Sequence, residues 1–134
     1  MAERKYKDPI KEARRYIANA KELLNSKADN DGYDVSDPKF VKMAGHTLWT
    51  GCLIAMDAVF QIPKPKNGRI DIKDYQMAAA KRDKKMQSLL HTGYEMMHLG
   101  MGYDGVTDAD YIKLAIARAN SIVDWCEKRI PVDN

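Results

Sequence analysis

The sequence predicts an all-α protein, folded as an antiparallel up-and-down bundle of four helices. Apolar residues recur at steps of three and four along most of the chain, which is the period of an amphipathic helix. Aspartate, proline and glycine residues separate these stretches in the order expected at helix starts and stops. The 134 residues contain no linker, so we expect one domain spanning 1–134.

The first two helices are predicted over 9–27 and 38–62. Each begins with an aspartate followed by a proline, at Asp8-Pro9 and at Asp37-Pro38. The aspartate can accept backbone N–H groups, and proline is tolerated at the first helical position because its missing N–H would be unpaired there anyway. The second helix must end before Pro63, which cannot continue it.

The third helix is predicted over 71–101 and the fourth over 108–130. Asp71 is the expected cap of the third helix, and glycines follow its end. Thr107, with an aspartate three residues later, resembles a capping box for the fourth helix. Pro131 ends that helix.

The second helix is apolar almost all the way round from Leu48 to Phe60. An ordinary surface helix has an apolar stripe on one side only, so this helix should be the buried one. A four-helix bundle has few ways to bury every side of one member. We therefore expect a homodimer. Whether the outer face of this helix meets a second copy of the chain or the fourth helix of the same chain is left open by the sequence.

Composition favours a cytoplasmic protein without a membrane segment. Charged residues make up 31% of the chain, and the net charge is only +3. The most apolar run is interrupted by Asp57 and is shorter than the roughly 20 residues that a membrane span needs. Cys52 and Cys126 lie among apolar neighbours at helical spacing, which is typical of buried, reduced thiols.

Asp57 is the one charge inside this apolar run. Antiparallel helices rise equally per residue, and pairing the start of the second helix with the end of the third places Asp57 level with Arg82. Arg82 falls on the inward stripe of the third helix, and a buried charge is normally paired. We predict an ion pair between them that serves a structural role. Two neighbouring residues are the substitute partners: Lys81 and Lys85.

The same alignment gathers the three histidines of the chain near one end of the bundle. The predicted polar cluster contains His46, His91, Glu95 and His98. Imidazole and carboxylate groups are common metal ligands and acid–base groups. Glu95 and His98 have the Glu-x-x-His spacing of di-iron bundles, but a second such motif is missing. We therefore predict no metal and no cofactor, and favour structural histidines over a catalytic centre.

Basic residues near the opposite end suggest contact with an anionic partner, including nucleic acid. No aromatic residues are interleaved with them to stack on bases, so this hypothesis has weak support. A protein partner is the other hypothesis. The basic residues are Lys64, Lys66, Arg69, Lys73, Lys81, Arg82, Lys84 and Lys85.

Three segments carry a family resemblance. They are Ala-Arg-Arg-Tyr-Ile-x-x-Ala at 13–20, Ala-Gly-His-x-x-Trp-x-Gly-x-Leu-x-Ala-x-Asp-Ala at 44–58, and His-Leu-x-Met-Gly-Tyr-Asp-Gly at 98–105. They resemble a family of small uncharacterised bacterial proteins, a domain of unknown function. The helical order also resembles the HEPN-like bundles, which include nucleotidyltransferase-partner proteins and toxin-type ribonucleases. This second resemblance implies a HEPN-like fold and dimerisation.

Two functional hypotheses follow. The first is a non-catalytic bacterial helical interaction or oligomerisation module. The alternative is a HEPN-type RNA-acting enzyme, or a partner protein of a nucleotidyltransferase or toxin. For that enzyme the resemblance implies Arg82 and His91 as catalytic residues, with His98 or Glu95. HEPN ribonucleases have an arginine closely followed by a histidine, whereas eight residues separate Arg82 from His91.

Overall fold

The computed structural model describes residues 6–29 and 32–131, and all regular secondary structure within them is helical. This confirms the predicted all-α class. The described residues form five α-helices and one π-helical segment, Tyr94–Tyr103, without a strand. The α-helices are α1 (Pro9–Lys27), α2 (Pro38–Phe60), α3 (Ile72–Arg82), α4 (Lys84–Gly93) and α5 (Ala109–Glu127).

The helix starts follow the predicted capping chemistry. The Lys11 N–H donates to Asp8 Oδ1 at 3.0 Å, and the Lys39 N–H donates to Asp37 Oδ1 at 2.9 Å. Asp71 forms a capping box at the start of α3. The cap of the last helix is Asp108 and not the predicted Thr107, because the Asp108 carboxylate accepts the backbone N–H three residues on.

The central helix is α2, as predicted. It contacts α1, α3, α5 and the π-helical segment. Twelve of its 23 residues are buried, which makes it the main contributor to the core. It ends at Phe60, two residues before the predicted end, because Gln61 takes a left-handed conformation with φ of 50°. That conformation cannot continue a right-handed helix.

The predicted third helix is not continuous, and this part of the prediction was wrong. The backbone becomes extended at Asp83, with φ of −166° and ψ of 118°. The Asp83 carboxylate accepts the Lys85 N–H at 2.9 Å and the Trp125 Nε1–H at 2.9 Å. Asp83 therefore caps α4 and binds α5 at the same time, which compensates for the interrupted helix.

The second departure in this stretch is the π-helical segment. It continues directly from α4 and runs to Tyr103, beyond the predicted end at 101. Glycines allow very close contact between this segment and α2. A Cβ atom on Gly45 of α2 would lie 2.6 Å from Met101 Cβ and 2.7 Å from the backbone N of Gly102. The segment and α2 thus touch almost backbone to backbone.

Both cysteines are buried and free, as expected. Burial raises the pKa of Cys126 to about 12, and burial also raises the pKa of Cys52. Thiols in this state are poor nucleophiles. In the described part of the chain, no helix combines the length and the apolar character needed to cross a membrane.

Candidate functional site

The structure places Asp57 beside a tyrosine of α3 and Arg82 beside an aromatic ring of α2. The Tyr75 hydroxyl donates to Asp57 Oδ1 at 2.6 Å, while the Arg82 guanidinium lies over the Phe60 ring, 5.6 Å from its centroid. The alignment that placed Asp57 level with Arg82 assumed an unbroken third helix, whereas that helix is interrupted at Asp83.

Burial of Tyr75 fits this arrangement. Its side chain belongs to the core, and its hydroxyl reaches the exposed Asp57 from α3. Burial and the hydrogen bond to Asp57 raise the pKa of Tyr75. A neutral phenol can stabilise a carboxylate as a donor, so the charge of Asp57 does not require an arginine to be accommodated.

Two of the predicted polar residues come together with aromatic residues. The rings of His46 and His98 lie 5.7 Å apart in an edge-on arrangement. Tyr103 contacts both rings, at 5.9 Å from His46 and 5.1 Å from His98. Tyr94 stacks on His98 at 5.1 Å, and Trp49 contacts Tyr94 at 5.6 Å. We call these five residues the aromatic–histidine cluster.

His91 and Glu95, the other two predicted members, pair with each other. His91 Nε2 lies 3.3 Å from Glu95 Oε1, and each side chain is 59% exposed. This is a solvent-exposed contact one helical turn apart, which contributes little to stability. His91 is therefore placed with Glu95, while Arg82 is placed with Phe60.

The π-helical segment positions three of the five residues of the cluster. It supplies Tyr94, His98 and Tyr103, while α2 supplies His46 and Trp49 one turn apart. The wider turn of a π-helix closes on the fifth residue, which is the spacing from His98 to Tyr103. Gly102 leaves the space that the His46 ring occupies, since a Cβ there would lie 2.9 Å from His46 Cε1.

His98 has an unusual electrostatic environment. Burial, and secondly the neighbouring His46, lower the pKa of His98 from its ordinary value of 6.5. Its Nδ1 atom is buried without a hydrogen-bond partner. His98 is therefore neutral at neutral pH and retains an unused polar atom, which a structural histidine normally does not.

A groove of about 550 Å³ lies beside the cluster. Residues of α2 and the π-helical segment form one wall, and the loop before α3 with the start of α3 forms the other. Its lining residues are His46, Trp49, Thr50, Leu53, Arg69, Ile70, Asp71, Ile72, Tyr75, Tyr94 and His98.

Sequence reasoning missed Trp49, Tyr94, Tyr103 and Arg69 as members of this site. Aromatic residues at helical spacing are usually core residues, and Trp49 is indeed buried. The signal that could have found the site is the run of glycines and aromatic residues around His98. Among the described residues, no group of three or more His, Cys, Asp or Glu side chains is placed to hold a metal ion.

A comparison with models of protein families identifies the family of this chain. The model of a domain of unknown function, DUF5618, matches residues 8–128. The chain belongs to the DUF5618 family. The matched region includes every member of the aromatic–histidine cluster and every residue lining the groove.

A solved structure is similar to this fold as well. It is a protein of unknown function from Dyadobacter fermentans, which is 42% identical in sequence and has a TM-score of 0.79. The similarity covers 92% of this chain and 96% of the other. No curated protein matches the chain.

Proposed function

We propose that the protein is a non-catalytic interaction module that forms a homodimer through the open face of α2. The open face consists of residues spaced three or four apart that are exposed or half-buried on this otherwise core helix. Its members are Lys39, Met43, His46, Thr50, Leu53 and Asp57. The observation that carries the proposal is Met43, which is 48% exposed on the helix that contributes most to the core.

Further apolar surface adjoins the open face. Tyr103 is 62% exposed and contacts His46, which lies one turn from Met43 on α2. Leu99, four residues before Tyr103 on the same π-helical segment, is 37% exposed. Large apolar side chains grouped at a surface favour a protein interface over scattered exposure.

A second copy of the chain is the partner that fits this face by charge. In a pair whose two-fold axis is perpendicular to α2, the two α2 helices pack through the same face and run antiparallel. If the pair is centred midway along the open face, Lys39 of one copy lies opposite Asp57 of the other. Met43 then lies opposite Leu53 and His46 lies opposite Thr50, so opposite charges meet at both ends and an apolar pair lies next to each of them.

Light scattering after size-exclusion chromatography tests the dimer. We expect the wild type at twice the chain mass of 15.2 kDa and Met43→Glu as a monomer, because a carboxylate would be desolvated at the interface. Met77→Glu is the matched control, since Met77 is 51% exposed on α3, outside the open face. A monomeric wild type, or a dimer that persists in Met43→Glu, would contradict the proposal.

We further infer that α3, α4 and the π-helical segment act together as one interrupted rod, giving a four-rod, up-and-down, HEPN-like bundle. The contacts of α2 with α1, α5 and the π-helical segment support this arrangement. The alternative of an RNA-acting enzyme requires Arg82 and His91 at one site, whereas they contact Phe60 and Glu95 respectively. We therefore favour the binding module, and we propose a cytoplasmic location from its buried free thiols.

A further inference from the structure

The groove beside the aromatic–histidine cluster has the size and walls of a small-molecule site. Its volume of about 550 Å³ is within the usual range for such sites. Three aromatic side chains line it, Trp49, Tyr75 and Tyr94, and the ring of His98 joins them. Flat rings of this kind favour a planar ligand, because offset or edge-on contacts between rings are stabilising.

Arg69 gives the groove a charge preference. It lies in the loop before α3, and its side chain is exposed. It takes part in none of the salt bridges found between described residues. A guanidinium group binds a carboxylate through two parallel hydrogen bonds, so an unpaired arginine at a groove wall favours an anion of that shape.

His98 adds a polar group to the aromatic wall. Its Nδ1 atom is buried without a hydrogen-bond partner, and His98 lines the groove. Because the imidazole is neutral at neutral pH, it offers a flat ring without a competing positive charge. The fixed positive charge among the residues that line the groove is thus that of Arg69.

We propose that this groove binds a small planar aromatic carboxylate. The aromatic ring of the ligand packs against Trp49, Tyr94 and His98, and its carboxylate pairs with the Arg69 guanidinium. The remaining lining is apolar or uncharged apart from Asp71, which belongs to the capping box of α3. A single chain supplies all of these residues, so the site does not need the homodimer, although His46, Thr50 and Leu53 belong both to the groove and to the open face of α2.

Titration of ¹⁵N-labelled protein with indole-3-carboxylate tests the site. The chain has two tryptophans, so two indole N–H resonances are expected. The Trp49 resonance should shift on titration. The Trp125 resonance should not, because its Nε1–H donates to Asp83 away from the groove. Trp125 thus provides an internal control in every spectrum.

Neutral indole-3-carboxamide and two charge variants test the role of Arg69. We expect Arg69→Gln to raise the Kd for the carboxylate roughly tenfold, because the charge-assisted hydrogen bonds are lost, and to leave the Kd for the amide unchanged. Lys66→Gln is the matched control. It removes one positive charge from the same loop without touching the groove.

The monomeric variant Met43→Glu should bind the carboxylate at least as tightly as the wild type does, because Met43 does not line the groove, whereas His46, Thr50 and Leu53 of the groove lie in the proposed dimer interface. This measurement distinguishes a failure of the homodimer proposal from a failure of the ligand-site proposal. Three results would overturn the proposal: no shift of Trp49 at millimolar ligand, equal shifts of Trp49 and Trp125, or a carboxylate affinity that Arg69→Gln leaves unchanged.

Discussion

The two ends of the stretch predicted as one helix, 71–101, are stabilised in opposite ways. At the first end α3 buries only Tyr75 and Ala79, and it stops at the polar cap Asp83. At the other end the π-helical segment buries a run of methionines and glycines against α2 and continues without a break. Where packing is sparse, a capping side chain decides where the helix ends. Where packing is dense, the contact surface decides the pitch of the helix.

The stability of the protein should be more sensitive to added side-chain volume at the densely packed end, where the π-helical segment contacts α2. Gly45→Ala would place a Cβ 2.7 Å from the carbonyl oxygen of Met97 as well as against Met101 and Gly102. Backbone atoms cannot move aside cheaply, so we expect a loss of about 2 kcal/mol in the free energy of unfolding, even after the gain in helix propensity. Urea unfolding monitored by circular dichroism measures it.

Gly51→Ala is the control for this substitution, because it lies on the same helix but faces α1. There the nearest atoms to a new Cβ are the Ala13 carbonyl oxygen at 3.0 Å and Tyr16 Cβ at 3.1 Å. The loss should be smaller than for Gly45→Ala. If Gly45→Ala were as stable as the wild type, the π-helical segment would not be held by close packing.

At the sparsely packed end, where α3 stops at Asp83, stability should fall when a polar group is lost. Asp83→Ala removes the cap of α4 and the acceptor of the Trp125 Nε1–H together. We expect the melting temperature to fall by about 5 °C, since a lost cap and a lost hydrogen bond weaken both α4 and its contact with α5. Thermal unfolding measures the change, and the indole N–H resonance of Trp125 should move.

Asp83→Asn gives an intermediate case. The two oxygens of Asp83 serve different donors, and asparagine keeps only one oxygen. Its melting temperature should therefore lie between those of the wild type and Asp83→Ala. Equal melting temperatures for all three proteins would mean that the break at Asp83 does not depend on its carboxylate.

The smallest effect concerns His98 in the dense end. Its folded-state pKa lies below 6.5, so the unfolded chain binds the proton more readily. Above the pKa of the unfolded chain, His98 is neutral in both states and its protonation does not affect stability. As the pH falls below that pKa, protonation of the unfolded chain lowers the free energy of unfolding. Titration of the His98 ring by NMR should give a pKa below 6.5, and His98→Gln should reduce the loss of stability between about pH 7 and pH 5. A ring pKa at or above 6.5 would contradict the burial of His98.

Much of the fold was predictable because its signals are local. The Asp-Pro pairs that begin at Asp8 and Asp37 fix where α1 and α2 begin, since the cap and the first turn lie within three residues of each other. The candidate site was less predictable. His46 and His98 were placed together by counting residues along antiparallel helices, but the aromatic residues around them and the hydrogen bond from Tyr75 to Asp57 were not predicted.

The sequence by itself determined the all-helical class, the helix starts and the burial of α2, because capping and apolar periodicity act between neighbouring residues. Only the tertiary structure decided the break at Asp83 and the π-helical segment. The acceptor for Trp125 lies 42 residues away from it, and the contact that shapes the segment joins Gly45 to Met101 and Gly102. Arg69 reaches the groove for the same reason: packing between distant parts of the chain brings its loop beside Trp49 and His98.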